Sequence, residues 1–308
     1  MSEGPAESRI RLAAVEHLKR IASGGVITGN DLRAGFYVDG ARIPLINPQR
    51  GIFKPASMQH LLSVRTVFPR TGARVWYDDQ RTVHTQIERG DELVDYAFMG
   101  DDPNAADNRW LREAQEAQIP ILYFLGVAPQ RYTLVWPTYV AEWSASDLKV
   151  RLAFGAPASA AKEWFVPDAP ERRYGLRLVR QRLHQATFRE AVLTAYGSRC
   201  AISGLPEPRL LDAAHIIADQ DEDRGQPVVP NGLPLSKIHH AAFDANLIGI
   251  DPDFRIHVSE ALLSMNDGPM FEYGVKALAG QLIKFPKRDR DYPDRDRLAE
   301  RFDRFLAN

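Results

Sequence analysis

Apolar and polar positions follow two different periods in the first half of the chain. Residues 9–22 place their apolar side chains on one face of a helix. A second short helix is predicted at GNDLRAGF, with Asn30 or Asp31 as its N-terminal cap. The period then becomes alternating, and Asp39–Gly40 between two apolar runs predicts a two-residue β-hairpin. Further β-like runs follow with a helix among them: LLSVRTVF, ARVWYDD, LVDYAFM, DNRWLREAQEAQ (the helix), IPILYFLGV and YTLVWPTYV.

These elements predict an α+β protein with two domains. Strands that enclose a helix or two favour a curved sheet or a barrel over residues 1–153, with PUA-like and SRA-like folds among the candidates. Residues 154–172 are rich in alanine and proline and have no sustained amphipathic period, which is typical of a linker. A second domain is therefore predicted over residues 173–308.

The second domain has helical patterns near both ends. A helix that ends at Gly197 is predicted from four apolar residues on one face, Phe188, Val192, Leu193 and Tyr196. RDRLAERFDRFLAN closes the chain as an amphipathic helix, and LIGIDPDFRIHVS alternates as a β-hairpin does. Two segments of a different kind, LDAAHIIA and NGLPLSKIHHAAFDAN, lie between these elements.

These two segments place His215 on a short apolar run, Asn231 in a turn and His240 on a helix. Taken singly, His215 is explained as a core histidine, Asn231 as a turn residue, and Asp244 as the end of a helix. Their joint order resembles the HNH, or ββα-metal, nuclease motif. The resemblance to HNH proteins of the predicted restriction endonuclease type covers roughly residues 173–306.

The resemblance implies a catalytic set of His215, Asn231 and His240. Hydrolysis of a phosphodiester requires an activated water and neutralisation of developing negative charge. His215 is the expected general base, because an unperturbed imidazole has a pKa near working pH. Asn231 is expected to hold its loop in place and orient His215. Asp244 and His239 are expected to support the catalytic residues without contacting metal or substrate.

The implied metal site departs from the usual family pattern. The family often has an aspartate or histidine just before the general base, where this chain has Ala214. Asp212 lies two residues earlier and emerges on the same strand face as position 214, so it is the substitute ligand, with His240 as the second. This mixed set is compatible with Mg²⁺, Mn²⁺ or another transition ion.

A second departure concerns structural zinc. Many HNH proteins staple the motif with two CxxC pairs, and the corresponding positions here are Cys200, Ser203, Ser236 and His239. The chain has a single cysteine, which excludes a four-cysteine zinc site. An apolar core is therefore expected to hold the motif, with Phe243 inside it.

Composition adds a compartment and a partner. The single cysteine, the absence of a long apolar run and a start without signal-peptide character predict a cytoplasmic protein with no membrane partner. The net charge of −1 requires that attraction to DNA come from local clusters. The candidate DNA-backbone contacts are Arg173, Arg177, Arg180 and Arg182, for which a solvated helix face is the alternative.

Nucleases of this group with a separate N-terminal domain often use it to recognise modified DNA. The strip Trp76, Tyr77 and Asp78 combines aromatic rings and a carboxylate that suit an extruded base. Further candidates, each of which is otherwise ordinary core, are Tyr96, Asn108, Trp110, Trp136 and Tyr139. Arg50 and Lys54 flank a constrained loop at Gly51 and could hold a phosphate, unless this is a plain surface loop.

The sequence thus predicts a modification-dependent, type IV-like restriction enzyme that cuts double-stranded DNA containing bases such as 5-methylcytosine. The family implies products with a 5′ phosphate and a 3′ hydroxyl, and cutting of both strands favours a homodimer. Two alternatives stay open. One is an HNH effector of phage defence that is activated by a small molecule or partner protein, and the other is a non-catalytic DNA-binding module.

Overall fold

The computed structural model describes residues 5–68, 79–155, 167–221, 223–266 and 268–307. These residues form a mixed α+β structure, as the sequence predicts. It divides into two compact units, Met1–Ala186 and Thr187–Asn308. Among the described helices, none has the length and apolar character needed to cross a membrane.

The N-terminal unit contains a long helix at its start and most of the strands. Its elements are α1 (Pro5–Ile21), β1 (Val26–Thr28), α2 (Gly29–Ala34), β2 (Phe36–Val38), β3 (Ala41–Ile43), β4 (Ile52–Phe53), β5 (Ser63–Thr66), α3 (Asp79–Arg89), β6 (Val94–Ala97), α4 (Ala106–Glu116), β7 (Ile121–Ala128), β8 (Arg131–Ser144), β9 (Lys149–Phe154) and the first part of α5 (Ala169–Ala195).

A curled sheet organises this unit. Its strands run in the order β4-β5-β7-β8-β9-β6, and β1 pairs with one end of β8. The β5–β7 pair is parallel and the other pairs are antiparallel, with bulges where β8 meets β7 and β9. The predicted curved sheet is confirmed at this level, and the PUA-like or SRA-like assignment stays a prediction.

Strand β7 shows how both faces of the sheet are covered. Leu122 and Phe124 pack with α1 and α2, whereas Tyr123 and Leu125 pack in the core formed with α3 and α4. Because successive side chains of a strand point to opposite faces, a strand covered on both sides is apolar at every position. This accounts for the continuous run ILYFLGV in the sequence.

The short helix α2 corrects one predicted cap. Thr28, rather than Asn30 or Asp31, is the N-terminal cap, and its hydroxyl accepts from the backbone N–H of Asp31. The carboxylate of Asp31 accepts in return from the backbone N–H of Thr28, which completes a capping box. The hairpin at Asp39–Gly40 is confirmed, with φ values of 50° and 79° at the turn.

Helix α5 is longer than the sequence pattern indicates. It begins at Ala169, inside the segment predicted as a linker. The sequence pattern did not indicate this start because the two halves of the helix bury separate apolar stripes, so no single amphipathic period runs through it. The compact units divide within α5, between Ala186 and Thr187. Residues 156–166 lie outside the described structure, so the predicted domain limits stay a prediction.

The C-terminal unit is built around two hairpins. After the second part of α5, its elements are β10 (Leu211–His215), β11 (Gly232–Ser236), α6 (Lys237–Asp244), β12 (Ile248–Ile250), β13 (Ile256–Val258), α7 (Glu260–Leu263), α8 (Pro269–Gly274) and α9 (Arg295–Leu306). The predicted hairpin at β12–β13 and the closing helix α9 are confirmed. Phe243 is buried in the core of this unit, as expected.

Candidate active site

The hairpin β10–β11 and helix α6 place the motif residues in a ββα arrangement. β10 pairs antiparallel with β11, so that His215 lies opposite Gly232 and Asp212 opposite Leu235. Ser236 ends β11 and caps α6, since its hydroxyl accepts from the backbone N–H of His239. The first turns of α6 therefore lie beside the strand that carries Asp212.

His240 lies between two carboxylates. Its Nδ1 is 3.8 Å from Oδ2 of Asp212, and its Nε2 is 3.3 Å from Oδ2 of Asp244. Interaction with Asp212 raises the pKa of His240 despite its burial, and interaction with His240 lowers the pKa of Asp212. Asp212 and His240 thus each stabilise the charged form of the other.

His215 has the opposite electrostatic character. Burial lowers the pKa of its imidazole, and the attraction of Asp219 and Asp244 does not overcome this. Its Nε2 is closed to solvent and has no hydrogen-bond partner among the described residues. The ring stacks on Phe188, with centroids 4.1 Å apart and planes at 16°. His215 is therefore a neutral imidazole at neutral pH, held by an aromatic face.

Gly232 makes that stacking possible. A Cβ at Gly232 would lie 2.7 Å from the Phe188 ring and 2.5 Å from Val192. Gly232 pairs with His215 across the hairpin. Because Gly232 has no side chain, Phe188 can approach the hairpin at this pair.

Asn231 is fully buried and holds the segment that follows His215. Its amide oxygen accepts from the backbone N–H of Ile217 at 2.9 Å, and its amide nitrogen donates to the carbonyl oxygens of Ile217 and Gln226. Its own carbonyl accepts from the N–H of Ile216. With these bonds made, the Asn231 side chain is engaged with the backbone on both sides of the loop.

The four positions that correspond to the family's zinc ligands lie together and form a hydrogen-bonded cluster. The Cys200 sulfur accepts from the backbone N–H groups of Ser203 and Ser236 and lies 3.5 Å from Nδ1 of His239. Nδ1 of His239 also lies 2.9 Å from the Ser236 hydroxyl, and Nε2 donates to the Gly274 carbonyl at 2.7 Å.

This zinc-position cluster (Cys200, Ser203, Ser236 and His239) has its own polarity. Burial raises the pKa of the Cys200 thiol, but the hydrogen bonds from His239, Ser203 and Ser236 outweigh it and lower that pKa to about 6. Burial lowers the pKa of His239, but interaction with Cys200 and Gly274 raises it overall. Cys200 and His239 therefore each stabilise the charged form of the other.

Two contributors to the site were not predicted from the sequence as such. Phe188 was expected as a helix core residue and is also the ring on which His215 rests. Arg301 on α9 donates to the carbonyl of Phe243 and to Asn246, and so fixes the end of the helix that carries His240 and Asp244. Nothing local in the sequence links α9 to the motif, so only the tertiary fold could identify Arg301.

The predicted DNA-contacting arginines lie within the described structure, whereas the strip predicted to recognise an extruded base does not. Arg177, Arg180 and Arg182 are exposed on α5, and Arg173 pairs with Glu92 at 3.0 Å. These arginines belong to the N-terminal unit. Trp76, Tyr77 and Asp78, the weak candidates for base recognition, lie outside the described residues.

The donor set at His240 fits a cation with few protein ligands. No group of three or more histidine, cysteine or acidic side chains arranged for a metal occurs in the described parts of the chain. Asp212 and His240 nevertheless present a carboxylate and an imidazole 3.8 Å apart, with the Asp244 carboxylate beside the other ring nitrogen. Mg²⁺ sites typically use one or two carboxylates and leave the remaining positions to water and substrate phosphate.

Comparisons with known proteins agree with the ββα geometry. Residues 200–251, which run from Cys200 through β10, β11 and α6 to Asp251, match the family model of the HNH endonucleases. No curated protein matches the chain. One solved structure, the modification-dependent TagI restriction endonuclease, aligns with 84% of this chain and 86% of its own at 16% identity and a TM-score of 0.32, which is too low to carry an argument. The segment from 200 to 251 is thus similar to an HNH endonuclease domain.

Proposed function

We propose that this protein is a metal-dependent DNA endonuclease that hydrolyses phosphodiester bonds with His215 as general base. The observation that carries the proposal is that one ββα unit brings Asp212 and His240 together beside the strand that also carries His215. The pKa of His215 is lowered, whereas the pKa of His240, whose Nδ1 lies 3.8 Å from the Asp212 carboxylate, is raised. An imidazole that is neutral at working pH can accept a proton, whereas a carboxylate–imidazole pair can hold a cation.

The environment of His215 defines which nitrogen acts. Nε2 is closed to solvent, so Nδ1 is the position that accepts the proton of the attacking water. Stacking on Phe188 restricts rotation of the ring, and the bonds of Asn231 to Ile217 fix the backbone just after it. The ring is thereby oriented before substrate arrives, which removes an entropic cost from the reaction.

Asp212 and His240 are the residues that would hold a divalent ion, Mg²⁺, Mn²⁺ or another transition ion. When bound, such an ion supplies neutralisation of the charge that develops on the phosphate and on the departing 3′ oxygen. His240 must release its proton for this role, and Asp244 orients its ring through Nε2.

The rest of the proposal concerns the target. We infer double-stranded DNA as the substrate, with the exposed arginines of α5 as backbone contacts and the N-terminal unit as the reader of a modified base. An HNH site acts on one strand, so a homodimer would cut both. The protein would then be a modification-dependent restriction enzyme.

A panel of matched duplexes tests this function. Each duplex contains cytosine, 5-methylcytosine, 5-hydroxymethylcytosine, glucosylated hydroxymethylcytosine or phosphorothioate linkages, and cleavage is measured with Mg²⁺ and then Mn²⁺. Cutting of a modified duplex alone is the expected result. Equal cutting of all would make the protein an unselective nuclease, and cutting of none would favour an effector that requires an activator.

A further inference from the structure

The N-terminal unit has a pocket at the opening of its curled sheet. The pocket has a volume of about 290 Å³ and lies between β4–β5 and β6. In the described part of the chain, β4 and β6 are the two terminal strands of the sheet, so the pocket occupies the gap that the sheet leaves unclosed. Its lining includes Arg50, Arg65, Ile52, Tyr96, Ala97 and Phe98.

Arg65 gives this pocket a positive charge. Its Nη2 donates to the carbonyl oxygens of Asn47, Pro48 and Arg50, which fix the guanidinium in place. No carboxylate pairs with it among the residues that the structure describes. Its Nε is closed to solvent and has no acceptor within that same set. A preoriented guanidinium that lines a pocket suits a phosphate or carboxylate oxygen.

Arg50 adds a second cation at the rim. Its Nη1 is 3.1 Å from Asp107, a carboxylate whose side chain is 3% exposed, while the Arg50 side chain itself is 54% exposed. The buried carboxylate thus anchors one nitrogen of Arg50 and leaves the rest of the guanidinium toward solvent. Lys54, the other cation expected on this loop, instead donates to the Met58 carbonyl.

The rest of the pocket wall is formed mainly by apolar side chains and by the backbone of the loop at Gly51. Ile52 and Phe98 are almost fully buried, and the Tyr96 hydroxyl donates to the Arg65 carbonyl at 3.3 Å. A Cβ at Gly51 would lie 2.7 Å from that hydroxyl and 3.1 Å from the Arg65 carbonyl oxygen, so the loop approaches β6 closely at this glycine. Ligand pockets range from about 300 to 1,000 Å³. A pocket at the lower limit admits one flat ring with one charged group and excludes a duplex.

We propose that this pocket binds a single nucleotide, with its phosphate on Arg65 and Arg50 and its base against Ile52 and Phe98. The nucleotide has two possible sources, an unstacked residue of DNA or a free nucleotide. The first source makes the pocket the reader of the target, and the second makes it a sensor that activates the nuclease. The inference rests on the proposed function in assigning the pocket a role in cleavage, whereas nucleotide binding itself does not require the HNH chemistry.

Binding to the full-length chain in a metal chelator tests the proposal without cleavage. One set of probes is the free deoxynucleoside 5′-monophosphates, including the 5-methyl and 5-hydroxymethyl forms of dCMP. The other set is short duplexes with one modified or unmodified base. Arg65→Gln removes the fixed charge, and Ala97→Leu fills the pocket without changing any charge. Arg109→Gln, an exposed residue of α4 that does not line the pocket, is the matched control.

We expect Arg65→Gln to weaken binding of one probe set about ten- to hundredfold, which corresponds to loss of a charged hydrogen bond. Ala97→Leu should weaken the same set by occupying the space of the ligand, while Arg109→Gln binds normally. The probe set that responds identifies the source. Unchanged binding of both sets by folded variants, or no saturable binding by the parent chain, overturns the proposal. If both variants still cleave selectively, the proposed nuclease function stands and the pocket is not its reader. If the parent chain binds nucleotide but never cleaves, the pocket stands and the proposed nuclease function is contradicted.

Discussion

His239 and His240 are neighbours on α6, yet they belong to opposite kinds of environment. His239 is buried, and both of its ring nitrogens have partners in the zinc-position cluster or at Gly274. His240 is partly exposed and lies between Asp212 and Asp244. Consecutive residues of a helix point about 100° apart. One turn of helix can therefore serve the scaffold and the reaction with adjacent residues of the same type.

The difference shows how this domain keeps its shape without four cysteines. A structural zinc would join the segment around Cys200 to the start of α6. Here the same positions are joined by hydrogen bonds among Cys200, Ser236 and His239. Asp212 and His240 take no part in these bonds and remain the proposed cation ligands. Variants of His239, of His240 and of the proposed general base His215 test this division of roles.

Replacement of His215 should have the largest effect. His215→Ala removes the proton acceptor, and the cleavage rate is expected to fall by about 10²–10⁴-fold, the usual contribution of general base catalysis. Thermal unfolding should change much less, because His215 makes no hydrogen bond through Nε2 within the described residues. His184→Ala, an exposed histidine of α5, is the control. Normal cleavage by His215→Ala would remove the mechanism at its centre.

Replacement of His240 should act through the cation. His240→Ala is expected to raise the Mg²⁺ or Mn²⁺ concentration for half-maximal cleavage by about 10–100-fold or more, since even outer partners of metal ligands contribute that much. Asp244→Asn keeps the imidazole and removes only its supporting charge, so its shift should be smaller. A titration of cleavage rate against cation concentration measures both. An equal response of the two variants would contradict the assignment of His240 as a ligand.

The pH profile should separate the two histidines. The pKa of His215 is lowered below its ordinary value of 6.5, so with saturating cation the rate should hold as the pH falls to 6.5 and decline below it. The pKa of His240 is raised above 6.5, and the proton competes with the cation. With limiting cation the rate should therefore decline already above pH 6.5, by up to about tenfold per pH unit. Superimposable profiles at the two concentrations would contradict separate roles.

Much of the fold follows from local patterns, and the exceptions have tertiary causes. The hairpins at Asp39–Gly40 and β12–β13 and the helices α1, α4 and α9 were predicted because turn chemistry and amphipathic period are local. Helix α3 and strand β9 were missed. The length of α5 was also missed, because its halves bury different stripes and the period is broken between them.

The candidate site divides in the same way. Resemblance to the HNH motif selected His215, Asn231 and His240, and the strand period added Asp212. The fold brings Asp212 and His240 to 3.8 Å. The stacking of Phe188 on His215 depends on the absence of a side chain at Gly232, and the contact of Arg301 with α6 depends on where α9 packs. Neither contact has a sequence signal, because each joins elements that are distant along the chain. The roles of the four motif residues stay predictions until the variants are measured.

The smallest effect on cleavage is expected at His239. His239→Ala leaves the Cys200 sulfur, the Ser236 hydroxyl and the Gly274 carbonyl without their common partner. The free energy of unfolding should fall by about 1–3 kcal/mol, the usual cost of unsatisfied buried polar groups. The cation requirement of the folded variant should stay unchanged, since His239 does not contact Asp212 or Asp244. Denaturant unfolding and cation titration give the two values. A zinc-selective chelator should leave the unfolding of the parent chain unaltered, because hydrogen bonds replace the metal at these positions. A shift of the cation requirement as large as that of His240→Ala would show that the two neighbours form one site and end the comparison.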